Sequence, residues 1–327
     1  MMDERQNKET LLLCLQELKE AEETLVAYAE KEVKASVKTF VSSKIGKLFR
    51  LASVYKDIFE RLGIQTKDDF EEKIKHHFRY SPLREAFEEW QEAENKWDDL
   101  LKDVDSRIGT KGPHPLTEGQ QISLMQMFID ARTGTRKCLY DFFHKEKPSS
   151  GSVIQEAPSD AGNSGLSSFL PFPSSVVLDE FYRLGSQIVM VSFGAHEGAL
   201  RWLEETNCPF DMILDHDRQL YHSFGLKQSV LKVWSISCMV YYAQQMCAGR
   251  SLPTPYENIH DDPNQLGGDF IVARDGTVLL TYCSQSSTDR PSVDHLLCSL
   301  HTSLVGGCCP DVSVYGNEDE PGSFYCL

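Results

Sequence analysis

Ten cysteines are the side chains of this 327-residue sequence best suited to redox or metal chemistry, and their spacing restricts both. Cys14 and Cys138 lie in the first half. The second half holds the other eight: Cys208, Cys238, Cys247, Cys283, Cys298, Cys308, Cys309 and Cys326. No two cysteines enclose two residues, the spacing that brings two sulfurs to one turn or one metal ion. The sequence therefore excludes a CxxC redox pair and the usual zinc knuckles.

Histidines offer two further candidates for metal binding. His76 and His77 are adjacent, so that on a helix their side chains point about 100° apart. His216 stands between Asp215 and Asp217. Because no third ligand accompanies the pair, we predict no metal site there. We predict none at His216 either, since the family resemblance given below implies that it lies in a loop after a strand.

Composition and charge restrict the class of protein. The chain is 41% apolar and 25% charged, as folded globular proteins are, and its formal charge is -16. Residues 1–150 carry 25 basic and 28 acidic side chains, whereas residues 151–327 carry 8 and 21. The acidic second half repels nucleic acid and anionic lipid. With neither a secretory signal nor an apolar stretch of about 20 residues, the sequence predicts a cytoplasmic protein with reduced thiols.

Apolar stripes at helical spacing dominate the first 147 residues, which predicts a helical bundle. Gly63 is expected to end one helix, and Thr66 to cap the next. Ser81-Pro82 begins a long helix that bears Trp90 and Trp97. Such a stripe either binds a partner helix or forms the bundle's own core, and the core is the commoner case.

A last bundle helix is predicted from Thr117 to Phe143, because Thr117-Glu-Gly-Gln120 has the form of a capping box. Residues 148–175 are rich in Ser, Gly and Pro and are predicted to be a linker. From Ser186 the pattern alternates between strand and helix, with a β-hairpin at Asp275-Gly276. The domain is expected to span residues 176–304, followed by a tail at 305–327.

Several segments in order then resemble a known family. They are Glu180–Phe193 (EFYRLGSQIVMVSF), Trp202–Thr206 (WLEET), Phe210–Asp215 (FDMILD), Leu220–Leu226 (LYHSFGL), Gly267–Phe270 (GGDF) and Asp289–Asp294 (DRPSVD). Together they resemble the peroxiredoxin-like branch of the AhpC/TSA superfamily, and within it the selenoprotein L family. The resemblance implies a thioredoxin-like α/β fold and thiol or selenol oxidoreductase activity without an organic cofactor or metal. It also implies a thiol reductant and a disulfide or peroxide substrate.

One departure from this family concerns its chemistry. The family carries two selenocysteines or cysteines, separated by two residues, between a first strand and the helix that here begins near Val176. That position lowers the pKa of the reactive atom at the helix N-terminus, and the spacing lets the second atom resolve a mixed intermediate. Val176 follows Leu-Pro-Phe-Pro-Ser-Ser, which contains no cysteine. We therefore predict a domain that lacks its first strand and its reactive pair, with an exposed sheet edge that favours instability or association.

Two explanations for the missing pair remain open. Either a UGA codon was read as a stop or an intron, so that the exon encoding selenocysteine was skipped, or the chain is a real splice form or paralogue without thiol chemistry. The abrupt start of the family-like sequence at Val176 favours the skipped exon. Cys208 and Cys283 are weak candidates for a substitute catalytic thiol, although both are expected to be buried bystanders.

Two functions follow from these observations. The first is a redox protein of the peroxiredoxin-like kind whose reactive motif is absent, so that this version is inactive. The second is a non-catalytic interaction or scaffold protein, in which the bundle binds a protein partner and the thioredoxin-like domain is structural.

Overall fold

The computed structural model describes residues 2–108, 115–144, 151–156, 175–250, 256, 259 and 261–305. The first part of the chain is helical: α1 (Met2–Ala35), α2 (Val37–Thr39), a π-helical turn (Phe40–Lys44), a 3-10 turn (Ile45–Phe49), α3 (Arg50–Leu62), α4 (Lys67–Lys75) and α5 (Ser81–Ile108). Gly63 ends α3 in the left-handed conformation, with φ of 61°. The Thr66 hydroxyl accepts a hydrogen bond from the Asp69 amide and so caps α4. Both predicted helix boundaries are confirmed.

The rest of the chain alternates between strands and helices. Its elements are β1 (Met127–Asp130), β2 (Arg136–Cys138), α6 (Leu139–Phe143), β3 (Gly151–Glu156), α7 (Ser175–Arg183), β4 (Ser186–Ser192), α8 (His196–Glu205), β5 (Asp211–Leu214), α9 (Gln219–Ser223), α10 (Val230–Trp234), α11 (Ile236–Cys247), β6 (Gly268–Ala273), β7 (Val278–Cys283) and α12 (Val293–Val305). The predicted hairpin is confirmed, since β6 and β7 pair as antiparallel neighbours. Gly276, in the turn between them, has a φ of 91°.

The chain divides into two compact units. The helical unit comprises residues 1–110 and 229–252, and the α/β unit comprises residues 111–228 and 253–327. These units cut the chain at different places from the predicted boundary at residue 147. The segment that contains α10 and α11, which the sequence assigned to the thioredoxin-like domain, belongs to the helical unit.

Carboxylates on α5 explain why α10 and α11 belong to the helical unit. Asp105 accepts hydrogen bonds from the Ser229 hydroxyl (2.6 Å) and the Val230 amide (2.5 Å), at the start of α10. Asp98 accepts one from the Ile236 amide (3.0 Å) at the start of α11. The indole of Trp97, which is buried, donates to the carbonyl of Trp234. The Trp90/Trp97 stripe thus lies in the unit's own core.

The α/β unit is built on one seven-stranded sheet, in the order β2-β1-β5-β4-β3-β6-β7. Strands β3, β4 and β5 are parallel neighbours, and β6 runs antiparallel to β3. One cluster of buried side chains includes residues of α7, α8 and α12, and a second includes residues of α6 and α9. A helical region followed by a thioredoxin-like α/β domain is therefore confirmed.

Strand β3 corrects the prediction that the first strand of the domain is missing. Its six residues lie inside the segment predicted to be a linker, yet their backbone pairs with β4 on one side and β6 on the other. The Ser- and Gly-rich composition hid this strand, because a central strand is stabilised by backbone hydrogen bonds to distant segments. The exposed sheet edge predicted from the strand's loss does not arise.

Strands β1 and β2 correct the prediction of a helix from Thr117 to Phe143. Gly119 has a φ of 85°, which turns the backbone, and its amide donates to the carbonyl of Val278. Met127 and Phe128 are exposed and buried in turn, the alternation of a strand. Only α6 is helical in this stretch.

Candidate functional site

The carboxyl end of β3 is the place where the resemblance puts the redox chemistry. Strand β3 ends at Glu156 and α7 begins at Ser175. Residues 157–174, which connect them, lie outside the described residues, and their sequence (APSDAGNSGLSSFLPFPS) contains no cysteine. The strand and the helix thus follow one another in the order that the resemblance implies around a reactive pair, while the sequence between them supplies no thiol.

Asp269 is the titratable group of β6 nearest to this end of β3. It lies opposite Gln155, the residue before the last of β3, and its side chain is completely buried. Burial raises its pKa to about 7, although Arg290, 3.4 Å away, favours the charged form. Its Oδ1 atom has no hydrogen-bond partner among the described residues. Such a carboxyl can donate or accept a proton near neutral pH.

The sequence analysis assigned no role to Asp269. The residue lies in Gly267-Gly-Asp-Phe270, one of the segments that carry the resemblance. An acidic residue beside the β-branched run of a predicted strand was a usable signal, since carboxylates are rarely buried without a reason. That signal did not identify Arg290, which is 21 positions further along the chain.

Cys208 is poorly suited to act as a nucleophile. It is 3% exposed and follows α8, and burial raises the pKa of its thiol to about 11. Nearby, the Arg132 guanidinium donates to the backbone carbonyls of Cys208 and Phe210 rather than to the sulfur. Because the thiolate is the reactive form, this environment suppresses its chemistry.

Cys283 lies at the end of β7, and its sulfur is 3.4 Å from the carbonyl oxygen of Phe224. It packs against the core cluster that contains Phe224, whereas Cys208 belongs to the cluster on the other face of the sheet. The structure therefore does not bring the two candidate thiols together. A disulfide requires their Cβ atoms to lie about 4 Å apart.

The remaining cysteines are scattered over both units. Cys14, Cys138, Cys238 and Cys247 are not disulfide-bonded. Cys298, on α12, is disulfide-bonded, which differs from the expectation that all the thiols are reduced. Cys308, Cys309 and Cys326 lie outside the described residues.

Neither histidine candidate has a ligand set around it. In the parts of the chain that the structure describes, no group of three or more His, Cys, Asp or Glu side chains is arranged to hold a metal ion. His76 directs Nδ1 to the carbonyl of Glu72, at the end of α4. No described helix combines the length and apolarity that a membrane span requires.

A family model described as "AhpC/TSA antioxidant enzyme" matches residues 175–286. The matched range is about a third of the chain, and it includes residues 229–252 of the helical unit. The match extends from the start of α7 beyond the end of β7, and so it begins after the segment where the reactive pair is expected. Among curated proteins, none matches the chain.

Part of the chain is also similar to solved peroxiredoxin structures. Peroxiredoxin Q of Xanthomonas campestris is 16% identical with a TM-score of 0.37, over 55% of this chain and 91% of that one. Peroxidoxin BcpB of Mycobacterium tuberculosis is 16% identical with a TM-score of 0.39, over 58% and 98%. A cysteine-to-serine mutant of peroxiredoxin 6 of Arenicola marina is 14% identical with a TM-score of 0.42, over 60% and 79%.

Proposed function

We propose that this protein is a thiol- or selenol-based redox protein of the selenoprotein L kind whose reactive pair is absent from this version of the chain, so that this polypeptide is inactive. The observation that carries the proposal is the connection from β3 to α7. The match to the AhpC/TSA family begins directly after this connection, at residue 175, and the 18 residues of the connection contain no cysteine. The raised pKa of Cys208 argues against a substitute at that position.

The complete form would use thiol–disulfide exchange. One thiolate or selenolate attacks a disulfide or peroxide and is oxidised to a mixed disulfide or to a sulfenic or selenenic acid, while the substrate leaves with two electrons. The second atom displaces that group and forms an internal bond, which a thiol reductant then reduces. Without the first atom, no electron pair is available for the attack.

Genomic sequence tests the missing motif. Between the codons for Leu170 and Val176, we expect an open frame that contains two TGA or cysteine codons separated by two others. A continuous coding sequence with no such frame would contradict the proposal that a selenocysteine exon was skipped.

Activity assays test the inactivity separately. The polypeptide is expected neither to reduce insulin disulfides nor to consume peroxide with thioredoxin as the donor. Turnover that is abolished by Cys208→Ser or Cys283→Ser would show that a substitute thiol acts here.

The same absence of a thiol favours a second function, that of a non-catalytic interaction protein. The two functions differ in one observable. A form with the reactive pair restored from the genomic frame gains turnover if the domain is a redox enzyme, and gains none if the domain is structural.

A further inference from the structure

A cavity of about 320 Å³ lies in the α/β unit, at the carboxyl end of β5. Residues of β1 and β2 and of the segment from the end of β5 to the start of α9 line it, among them Met127, Ile129, Arg136, Leu214, His216 and Asp217. The volume is within the range of small-molecule sites, and the carboxyl ends of parallel strands are a common place for them. None of the thiol positions discussed above contributes to this wall.

Strand register explains one wall of the cavity. Ile129 of β1 pairs with Arg136 of β2 on one side and with Leu214 of β5 on the other. Cross-strand neighbours project from the same face of a sheet, so these three side chains form one row. The row places a guanidinium beside two aliphatic side chains.

Three ionisable groups at the cavity form no side-chain hydrogen bond or ion pair with the described residues. Arg136, His216 and Asp217 are exposed, and none forms a hydrogen bond or ion pair through its side chain with another described residue. Asp215 differs, because its carboxylate accepts hydrogen bonds from the amides of Gln219 (2.8 Å) and Leu220 (2.7 Å). The cavity thus presents one cation and one anion that the described part of the fold does not use.

We propose that this cavity binds a small zwitterion, a molecule with a carboxylate and an ammonium group on a short apolar body, such as a dipeptide. Arg136 binds the carboxylate, since its guanidinium matches two carboxylate oxygens. Asp217 binds the ammonium group. The apolar body lies against Met127 and Ile129, and His216 supplies a further polar contact. This function needs no reactive thiol and is independent of the redox proposal.

Calorimetry on the full-length chain tests the proposal with three probes. Glycyl-leucine carries both charges, glycyl-leucinamide lacks the carboxylate, and N-acetyl-glycyl-leucine lacks the ammonium group. We expect the unmodified dipeptide to bind, and each derivative to bind at least about tenfold more weakly, a difference of about 1.4 kcal/mol.

Two variants assign the charges to residues. Arg136→Gln is expected to weaken binding of glycyl-leucine until it equals that of glycyl-leucinamide, while glycyl-leucine still binds more tightly than N-acetyl-glycyl-leucine. Asp217→Asn is expected to remove the difference from the acetylated probe and to keep the difference from the amide. Arg274→Gln, which changes an exposed arginine of the β6–β7 turn, is the matched control and is expected to bind like the unmodified protein. Circular dichroism verifies that each variant is folded.

Three results would overturn the proposal. The first is that glycyl-leucine at about 10 mM gives no heat of binding, which would mean a dissociation constant weaker than about 10 mM. The second is equal binding of all three probes. The third is a pair of folded variants that both keep the selectivity of the unmodified protein, which would place any binding elsewhere.

Discussion

Glu22, Tyr55 and Glu94 form a buried polar chain within the helical unit. The Tyr55 hydroxyl lies 3.0 Å from Glu22 Oε1 and 2.5 Å from Glu94 Oε1. Lys67 lies 2.7 Å from both oxygens of Glu94, and the Trp90 indole donates to Glu22. The single hydroxyl proton of Tyr55 cannot serve both carboxylates. The second contact therefore needs a proton on a carboxyl group. Burial raises the pKa of Glu94, whereas Lys67 favours the charged form of that carboxyl.

Glu22 is the carboxyl that holds this proton. It is completely buried, its Oε2 has no partner among the described residues, and burial raises its pKa to about 8 from the usual 4.5. The folded protein retains a proton that the unfolded chain releases. The free energy of unfolding is therefore highest below pH 4.5 as far as this group is concerned, and it falls as the pH rises from about 4.5 to about 8.

The substitution Glu22→Gln tests this linkage. In the unmodified protein, ionisation of Glu22 is expected to lower the free energy of unfolding by roughly 5 kcal/mol across that pH range. The amide of the variant is neutral at every pH, so this decrease is expected to be absent from it. Urea unfolding at pH 5, 7 and 9, followed by tryptophan fluorescence, measures the difference from the unmodified protein. Glu30→Gln, at an exposed position of α1, is the control and should keep the full pH dependence. Parallel pH dependences for Glu22→Gln and the unmodified protein would contradict a protonated Glu22.

Helix α5 stabilises a segment more than 120 residues further along the chain through Asp105. Its carboxylate accepts hydrogen bonds from the first amides of α10, which have no partner within that helix. We expect Asp105→Ala to lower the free energy of unfolding of the helical unit by about 1–2 kcal/mol, as the loss of an N-cap does. Asp103→Ala is the matched control, because Asp103 makes only an exposed i,i+4 ion pair with Arg107. Equal effects of the two substitutions in urea unfolding would show that Asp105 does not act as a cap.

A proline in residues 151–156 tests whether this segment is a central strand or a linker. Ile154 pairs with Val189 of β4 and with Phe270 of β6. Ile154→Pro removes a backbone donor from the centre of the sheet, so we expect a loss of about 3 kcal/mol or more in the α/β unit. Hydrogen exchange of the amides in β4 and β6 measures it, with Ile154→Val as a control that keeps the donor. Unchanged protection in the proline variant would favour the linker prediction.

At the scale of the whole molecule, the two units interleave along the chain. Residues 229–252 complete the helical unit, and residues 111–144 contribute β1, β2 and α6 to the α/β unit. Fragments cut at residue 147, the boundary that composition suggests, are therefore expected to be incomplete. Fragment 1–147 lacks Trp234, the acceptor for the buried indole of Trp97.

Thermal unfolding of the fragments tests this division. We expect fragments 1–147 and 148–327 each to lose the cooperative transition of the intact chain, as monitored by near-UV circular dichroism. Co-expression of the two fragments is expected to restore it, because together they contain every segment of both units. A cooperative transition in isolated fragment 1–147 would show that α10 and α11 are dispensable for the helical unit.

Features that depend on neighbouring residues could be predicted from the sequence. The end of α3 at Gly63, the Thr66 cap and the Asp275-Gly276 hairpin each rest on the backbone preferences of a few adjacent residues. The prediction of a helix from Thr117 was wrong because contacts with distant residues determine the structure there. The capping-box residues instead form a turn that bonds to β7: the Gly119 amide donates to the Val278 carbonyl, and the Gln120 carbonyl accepts from the Val278 amide.

Helical periodicity and cysteine spacing are properties of the chain, so the order of helices before an α/β domain and the absence of a CxxC pair could be read from residue types and positions. The central position of the strand Gly151–Glu156, and the place of α10 and α11 in the helical unit, instead depend on tertiary contacts. Tertiary contacts also bring Arg136 and Asp217 to one cavity. These outcomes depend on hydrogen bonds and packing between residues far apart in the chain, for which local composition carries no signal.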